Sequence, residues 1–191
     1  KRVYIAVTND LITDNRVHKI AQTLLKSGAE IILLGANKYH NDPVSERQYQ
    51  TKRFKMFFKK GFLFYAGFNI RLFFYLLFRK FDIIVANDLD TLPASYLVSL
   101  IRCKKIVYDS HEYFTEVPEL VNRPFPRKVW LMVERLILPR IKLSYTVSES
   151  IAKTYQKLYH IEMVVVRNLP FCTTEKPGSE MQKNGEKHIL Y

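Results

Sequence analysis

The residues best suited to chemistry follow two apolar segments of the chain. Residues 106–116 read IVYDSHEYFTE, so an acid, a hydroxyl, a histidine and a second acid directly follow a β-branched strand. Residues 81–90 read FDIIVANDLD, and this segment ends in the same way in Asn87, Asp88 and Asp90. In an open parallel α/β sheet the ligand crevice lies just outside the carboxyl ends of the strands. The two segments therefore predict one shared ligand cleft.

The elements that must position this cleft alternate between strand and helix. Strands are predicted at residues 3–8, 30–34, 47–54, 83–86, 105–108, 143–147 and 163–166. Helices are predicted at residues 14–26, within the aromatic segment 54–81, and at 91–101, 126–141 and 148–158. Repeated strand–helix–strand units of this length form parallel sheets with helices on both faces. The expected fold class is therefore α/β, a Rossmann-like doubly wound parallel sheet.

Length and cysteine content limit the number of domains and the compartment. A chain of 191 residues is long enough for one well-buried α/β domain with a tail. Cys103 and Cys172 stand in no metal-binding or disulfide pattern, so we expect free thiols in a reducing compartment, by default the cytoplasm. The opening residues KRVYIAV have the pattern of a strand and not of a signal peptide.

The net charge of +12 indicates an anionic partner, and most of the excess lies in one segment. Residues 47–81 hold nine basic residues and no acid, and residues 54–81 hold twelve aromatic residues. Basic and aromatic residues interleaved on one helix favour anchoring at the surface of an anionic membrane. The expected membrane-contact residues are Arg53, Lys55, Phe57, Phe58, Lys59, Lys60 and Phe62.

Other uses of this basic aromatic segment stay open. The aromatic side chains can instead pack on the sheet and leave only the basic groups in solvent. A nucleic-acid partner is not expected, because no recognised nucleic-acid-binding module accompanies the charge. Asn69 and Arg71 interrupt the apolar stretch, so we expect the segment to lie on a membrane and not to cross it.

The motifs of several familiar enzyme classes are missing from the sequence. The first strand is followed by TNDLITDNRV, which has no glycine, so the G-x-G-x-x-G turn of dinucleotide-binding proteins is absent. The phosphate-loop and nucleophile-elbow motifs are absent as well. The five histidines show no metal-ligand spacing. We therefore expect neither a metal site nor a cofactor.

Four stretches of the sequence carry a family resemblance. They read DNRVHKIAQTLLKSGAEIILLG, ANDLDTLPAS, YDSHEYFTEVPEL, and TVSESIAKTY followed by VVRNLPF. Together they resemble the N-terminal half of a GT-B glycosyltransferase of the retaining family 4 type. In that family two Rossmann-like domains face each other across a cleft; the N-terminal one mainly holds the acceptor and the C-terminal one mainly binds a nucleotide sugar. The resemblance implies an acceptor-side domain at residues 1–170, a linker at 171–187, and the start of the nucleotide-sugar domain at 188–191.

The resemblance also implies roles for residues at the strand ends. His111 matches the histidine that the family places near the transferred sugar, where a neutral imidazole accepts a hydrogen bond from a sugar hydroxyl or relays a proton. Asp88 matches an acidic position at the same cleft. The further expected substrate-binding residues are Asn9, Asp10, Arg16, Glu112, Ser148 and Glu149.

Structural roles remain alternatives for several of these residues. Asp88 and Ser148 are of types that commonly cap helices, and Glu112 can simply begin the next helical turn. Many relatives carry a glycine pair after the first strand that approaches the donor phosphates, and this chain lacks that pair. Arg16 can still supply a cation to a phosphate or an acidic acceptor.

The implied reaction moves a sugar from a nucleoside diphosphate to a hydroxyl group without a metal ion. The expected partners are a nucleotide sugar, a glycan or lipid-linked acceptor, and an anionic membrane surface. Lipopolysaccharide or other envelope polysaccharide assembly at the inner face of a bacterial cytoplasmic membrane is the expected setting, and we expect the isolated half to be inactive. Two rivals stay open: a GT-B sugar-nucleotide epimerase and a non-catalytic membrane-surface binding module.

Overall fold

A parallel sheet forms the centre of the structure. The computed structural model describes residues 1–12, 14–37 and 46–169. In this part of the chain the strands are β1 (Arg2–Ala6), β2 (Glu30–Asn37), β3 (Gln50–Lys55), β4 (Ile83–Asn87), β5 (Lys105–Ser110), β6 (Ser144–Thr146) and β7 (Val164–Val165). They form one seven-stranded sheet in the order β3-β2-β1-β4-β5-β6-β7, and every neighbouring pair is parallel.

Helices connect these strands over the same described ranges. They are α1 (Asn15–Lys26), α2 (Gly61–Leu77), α3 (Leu92–Ile101), α4 (Pro118–Val121), α5 (Pro124–Ile137) and α6 (Glu149–Tyr159). Two short 3₁₀ helices span Phe114–Glu116 and Leu138–Arg140. The predicted fold class, a Rossmann-like α/β fold with a parallel sheet, is confirmed.

The boundaries of several predicted elements are wrong: β1 ends at Ala6 and not at residue 8, β2 continues to Asn37 and not only to residue 34, and β5 continues to Ser110 and not only to residue 108. The third strand begins at Gln50 and not at residue 47, and the long helix predicted at residues 126–141 begins at Pro124 and changes to a 3₁₀ helix after Ile137. The short helix α4 and the 3₁₀ helix before it were not predicted, since four or fewer residues carry no helical period. The linker and second-domain start predicted after residue 170 lie outside the described residues.

The aromatic segment is divided between a strand and a helix, contrary to the single helix predicted. Phe54 lies in β3, a connection follows, and α2 begins only at Gly61. Of the predicted membrane-contact residues, only Phe62 therefore lies on a helix. Lys60 caps α2 with extended backbone and makes no side-chain capping bond. The sequence carries a local signal for this break, since Lys59, Lys60 and Gly61 interrupt the aromatic run and Gly61 has a positive φ of 72°.

One face of the sheet is covered by α2 and α3, with α5 and α6 further along. In α2, Phe64, Phe68, Leu72 and Leu76 are buried at intervals of four residues. They pack against Tyr4 and other sheet residues in one apolar cluster. The same segment thus supplies much of the core, which agrees with the packing alternative for its inner side. Aromatic rings at this spacing fix α2 firmly on the sheet.

The opposite face is covered less completely. Val17 and Ala21 of α1 are buried against the β1–β2 half of that face. Along β4, β5 and β6 the same face is open in the described part of the chain, and Val85, Val107 and Tyr145 line a cavity there. Parallel sheets are ordinarily covered on both faces. Half of this face therefore lacks the usual cover among the described residues.

We expect Phe68→Ala to lower the free energy of unfolding by about 3–5 kcal/mol, because it leaves a cavity under α2. The Phe68 ring is fully buried and lies 5.8 Å from that of Phe54, centre to centre. Phe62 is 70% exposed on the same helix, so Phe62→Ala is the matched control with a change within about 0.5 kcal/mol. Urea unfolding followed by circular dichroism measures both; equal losses would contradict the assigned inner face of α2.

Candidate functional site

The carboxyl ends of β4 and β5 place their polar residues side by side. Asn87 pairs with Asp109 in the strand register, and the backbone N–H of Asp88 donates to the carbonyl oxygen of Asp109 at 2.8 Å. Asp88 then takes a left-handed conformation with φ 60°. Aspartate adopts this conformation more readily than most residues other than glycine. The chain therefore turns at Asp88, and its carboxylate reaches the end of β5.

Asp88 and His111 form the central pair of this site. Oδ2 of Asp88 lies 2.6 Å from Nδ1 of His111, and the backbone N–H of His111 donates to Oδ1 of Asp88 at 3.3 Å. Asp88 is buried and His111 is half-buried. Because Nδ1 faces a carboxylate, it carries the proton in the neutral ring, and Nε2 is then the hydrogen-bond acceptor.

The surroundings of this pair raise two pKa values. Burial lowers the pKa of His111, but the hydrogen bond and the charge of Asp88 outweigh it, so the pKa is raised above its ordinary value. Burial also raises the pKa of Glu112, and the Asp88 charge raises it further. An imidazole beside a carboxylate is a group that can take part in proton transfer. The site can therefore hold or pass a proton at His111.

Arg16 binds a carboxylate of the protein itself. Its Nη1 lies 2.8 Å from Oδ2 of Asp109, and its Nη2 donates to Oδ1 of Asn87 at 3.3 Å. Asp109 is fully buried, and burial raises its pKa to about 6, while the Arg16 charge limits this rise. Phosphate binding by Arg16 would require it to leave a buried anion, which is costly.

The loop after β1 is held by its own polar side chains. Oδ1 of Asn9 accepts from the N–H of Leu11 at 3.0 Å, and Oδ1 of Asp10 accepts from the N–H of Ile12 at 3.1 Å. Leu11 is fully buried against Gly35, where an added Cβ would lie 2.5 Å from Cγ of Leu11. These contacts explain Asn9 and Asp10 structurally, and their contact with substrate stays a prediction.

Ser148 lies between the end of β6 and the start of α6, where it serves as a helix cap. Its side chain accepts from the N–H of Ile151 at 3.4 Å, so Ser148 caps α6. Glu149 is exposed in the first turn of that helix, where a negative charge is favourable. Both positions have a structural explanation, and substrate contact by either one stays a prediction.

An aromatic and acidic wall adjoins the pair, and the sequence did not single it out. The Tyr65 ring packs edge-on against Trp130 at 5.4 Å between ring centres. Burial raises the pKa of Tyr65 to about 12, and the charges of Asp90, Glu112 and others add to the rise. The position of Asp90 directly after a predicted strand marked it as a possible site residue. Nothing in the sequence distinguishes Tyr65 from the other aromatic residues of its segment. Its place beside the site follows only from how α2 packs.

The predicted membrane-contact residues begin at the same edge of the sheet, where β3 ends. Lys55 and the connecting residues Phe57, Phe58, Lys59 and Lys60 are exposed, as is Phe62, whereas Arg53 is half-buried. Among the helices that the structure describes, none has the length and apolar character needed to cross a membrane. Among all residues that the structure describes, no cluster of three or more potential metal ligands occurs.

A cavity of about 450 Å³ opens on the α1 face of the sheet. Its walls are mostly apolar, with Val85 and Val107 among them, and the Arg16–Asp109 pair lies at its border. Asn168 and Leu169 line it from the far side, where Nζ of Lys19 donates to both. The last described residues therefore lie along this cavity.

Comparisons with known proteins point to one family. The family model described as Glycosyltransferase Family 4 matches residues 14–169. No curated protein matches the sequence.

Solved structures share the fold at low identity. Sucrose-phosphate synthase from Thermosynechococcus elongatus has a TM-score of 0.62 and 14% identity, over 87% of this chain and 47% of that chain. A putative UDP-N-acetylglucosamine 2-epimerase from Listeria monocytogenes has a TM-score of 0.56 and 11% identity, over 82% of this chain and 41% of that chain. The calicheamicin glycosyltransferase CalG4 has a TM-score of 0.53 and 11% identity, over 86% of this chain and 52% of that chain. This chain thus spans about half the length of each.

We expect Asp88→Asn to lower the pKa of His111, because it removes the charge that outweighs burial. Asparagine also tolerates the left-handed backbone at position 88, so the turn is retained. An NMR titration of the imidazole measures the pKa, with His160, the exposed residue after α6, as the internal control. A His111 pKa that stays the same would contradict the pairing.

We expect Arg16→Met to raise the pKa of Asp109 above its value of about 6, because burial then acts without the opposing charge. Arg16→Lys keeps the charge and is the matched variant, for which a smaller rise is expected. A carbon-detected NMR titration of the carboxyl groups gives both values. A fall in the pKa of Asp109 in Arg16→Met would show that the two groups do not interact as described.

Proposed function

We propose that this chain, which belongs to glycosyltransferase family 4, is the acceptor-side domain of an enzyme that moves a sugar from a nucleotide sugar to a hydroxyl group. In this reaction the acceptor oxygen bonds to the anomeric carbon of the sugar and loses its proton to Nε2 of His111 or to the leaving diphosphate. The nucleoside diphosphate leaves with the electron pair of the broken carbon–oxygen bond. The protein must orient the hydroxyl and compensate the charge on the leaving group.

The Asp88–His111 pair is the observation that supports this function most directly. The carboxylate lies 2.6 Å from Nδ1, which leaves Nε2 of the neutral ring as the acceptor for a sugar hydroxyl. A hydroxyl held in this way is oriented before the reaction begins, which lowers the barrier. Asp88 is therefore assigned as the residue that positions the ring, and His111 as the residue that touches the sugar.

The acidic and aromatic wall beside the pair suits a glycan acceptor. Carboxylates such as Glu112 accept hydrogen bonds from sugar hydroxyls, and Tyr65 together with Trp130 offers an apolar ring surface to a sugar. An anionic acceptor group would meet Asp90 and Glu112 and be repelled. We therefore propose that acceptor hydroxyls, and not acceptor phosphates, lie against this wall.

Transfer by this chain is proposed to require a second domain. The chain spans 47% of the sucrose-phosphate synthase structure and 52% of CalG4. Arg16, which the sequence suggests as a cation for a phosphate, is paired with Asp109 instead. Charge on the leaving diphosphate must then be compensated by groups outside this domain. The uncovered half of the sheet face also leaves room for further protein to pack.

The acceptor is proposed to be an envelope glycan or a lipid-linked sugar at the inner face of the cytoplasmic membrane. Helix α2 of the basic aromatic segment is bonded to the site through Asn69, and the exposed cations of the segment favour an acceptor presented at a negatively charged surface. Assembly of lipopolysaccharide or a related polysaccharide is a setting of this kind.

The test is release of nucleoside diphosphate by the protein as encoded, including any sequence that follows residue 191. A panel of nucleotide sugars is supplied with and without membrane extract. His111→Ala is expected to lower the rate at least tenfold, about the value of one hydrogen bond to a reacting group. His160→Asn, at an exposed cap of α6 with φ 56°, is the matched control and should keep the full rate.

Each outcome of this assay separates the competing functions. If nucleoside diphosphate release requires the membrane extract and is slower in His111→Ala, the result supports a transferase. Return of the nucleotide sugar as an epimer without acceptor would instead favour an epimerase, and no turnover by the encoded protein would favour a binding module. Residues 1–191 alone are expected to give no measurable transfer, and robust transfer by them would overturn the need for a second domain.

A further inference from the structure

We propose that the outer helical surface, formed by α2 and α3 on the side away from the sheet, docks on an anionic lipid bilayer. The apolar residues of this surface are Leu63, Ile70 and Phe74 of α2 and Leu97, Leu100 and Ile101 of α3. Each of them is between 50% and 59% exposed. The two helices lie side by side on one face of the sheet. The surface was not apparent from the sequence, in which inner and outer apolar residues look alike.

Helix α2 is apolar on both its inner and outer sides. Phe64, Phe68 and the residues that continue their spacing face the sheet, whereas Leu63, Ile70 and Phe74 recur at intervals of seven and four on the outside. A helix at the surface of a soluble domain normally carries polar residues there. An apolar surface spread over neighbouring helices marks an interaction site.

Basic residues flank this apolar surface at both ends of α2. Lys59 and Lys60 precede the helix and Arg79 and Lys80 follow it, all of them exposed. The helix has 17 residues and is therefore about 25 Å long. Helices that lie in the plane of a bilayer surface combine an apolar side with cations that reach the lipid phosphates. The arrangement at α2 has both features.

The connection before α2 adds aromatic groups to the surface. Phe57 is 86% exposed, and Cζ of Arg71 lies 5.4 Å from the centre of its ring. The guanidinium thus holds the ring by a cation–π contact while the ring stays in solvent. Phenyl rings next to cations are favourable at the headgroup level of a membrane.

The charges favour lipid over a second copy of this chain. Residues 47–81 contain no acid, so a symmetric dimer through this surface would place basic groups opposite basic groups. Interfaces between proteins are also depleted in lysine. An anionic bilayer offers both the negative charge and the apolar layer beneath it.

The docked orientation would hold the candidate site close to the bilayer. Nδ2 of Asn69 in α2 donates to the carbonyl oxygen of Asp90 at 2.7 Å, so α2 is bonded directly to the site. Docking is nevertheless independent of the proposed reaction, because it requires no nucleotide sugar and no second domain.

The experiment is co-sedimentation of the 191-residue chain with vesicles of phosphatidylcholine, with and without phosphatidylglycerol. We expect binding to the anionic vesicles alone, weakened by salt. Lys59→Gln with Lys60→Gln should lower the partition coefficient at least tenfold. Lys153→Gln with Lys157→Gln, both exposed on α6, removes the same charge elsewhere and should have little effect.

The apolar contribution is tested in the same assay. Ile70→Gln with Phe74→Gln should also lower the partition coefficient at least tenfold, whereas Leu158→Gln on α6 should not. Thermal unfolding by circular dichroism confirms that each variant is folded, and the lysine pair tests docking even if the apolar pair unfolds. Equal losses in the α2 and α6 variants, or no vesicle binding at all, would overturn the proposal. A dimer in sedimentation velocity that Phe74→Gln dissociates, without vesicle binding, would assign the surface to a second copy.

Discussion

The register between β4 and β5 is the constraint on which the rest of the site depends. It pairs Asn87 with Asp109 and lets the N–H of Asp88 donate to the Asp109 carbonyl. A shift by one residue would turn every side chain of one strand to the other face. Asp109 would then leave Arg16, and Asp88 would no longer meet His111. Packing resists such a shift, because it would exchange the fully buried Tyr108 with the smaller Val107 on the opposite face of the sheet.

Charge is divided between two parts of the molecule with different physical roles. The chain carries a net charge of +12, yet the groups around His111 are largely acidic. In the buried acidic site each neighbouring charge has a large effect on the pKa values, because the surroundings are of low polarity. The excess of basic residues lies at residues 47–81, mostly in solvent, where water and salt screen it. The proposed substrate chemistry and the proposed attraction to an anionic partner are thus assigned to different parts of one domain.

Helix α2 connects these two parts. Its inner aromatic residues belong to the core, and Asn69 bonds to the backbone at Asp90 and Ala94. Its outer side carries exposed apolar residues between clusters of cations. Because the aromatic core contacts hold the helix on the sheet, whatever binds its outer side is held at a fixed position relative to the strand ends. The aromatic residues of the segment therefore serve core packing, and the remaining exposed ones belong to the proposed docking surface.

The sequence by itself determined the alternation of strand and helix, the parallel sheet and the edge at which polar residues gather. These features follow from local periods, such as the apolar spacing in α1 and the β-branched runs that end in NDLD and DSHE. Tertiary structure alone decided that Arg16 meets Asp109, 93 residues away, that Asp88 turns left-handed toward His111, and which apolar residues of α2 face the sheet. Each of these depends on contacts between residues far apart in the chain. Such contacts exist only after the strands have paired, and no local pattern of residue types encodes them.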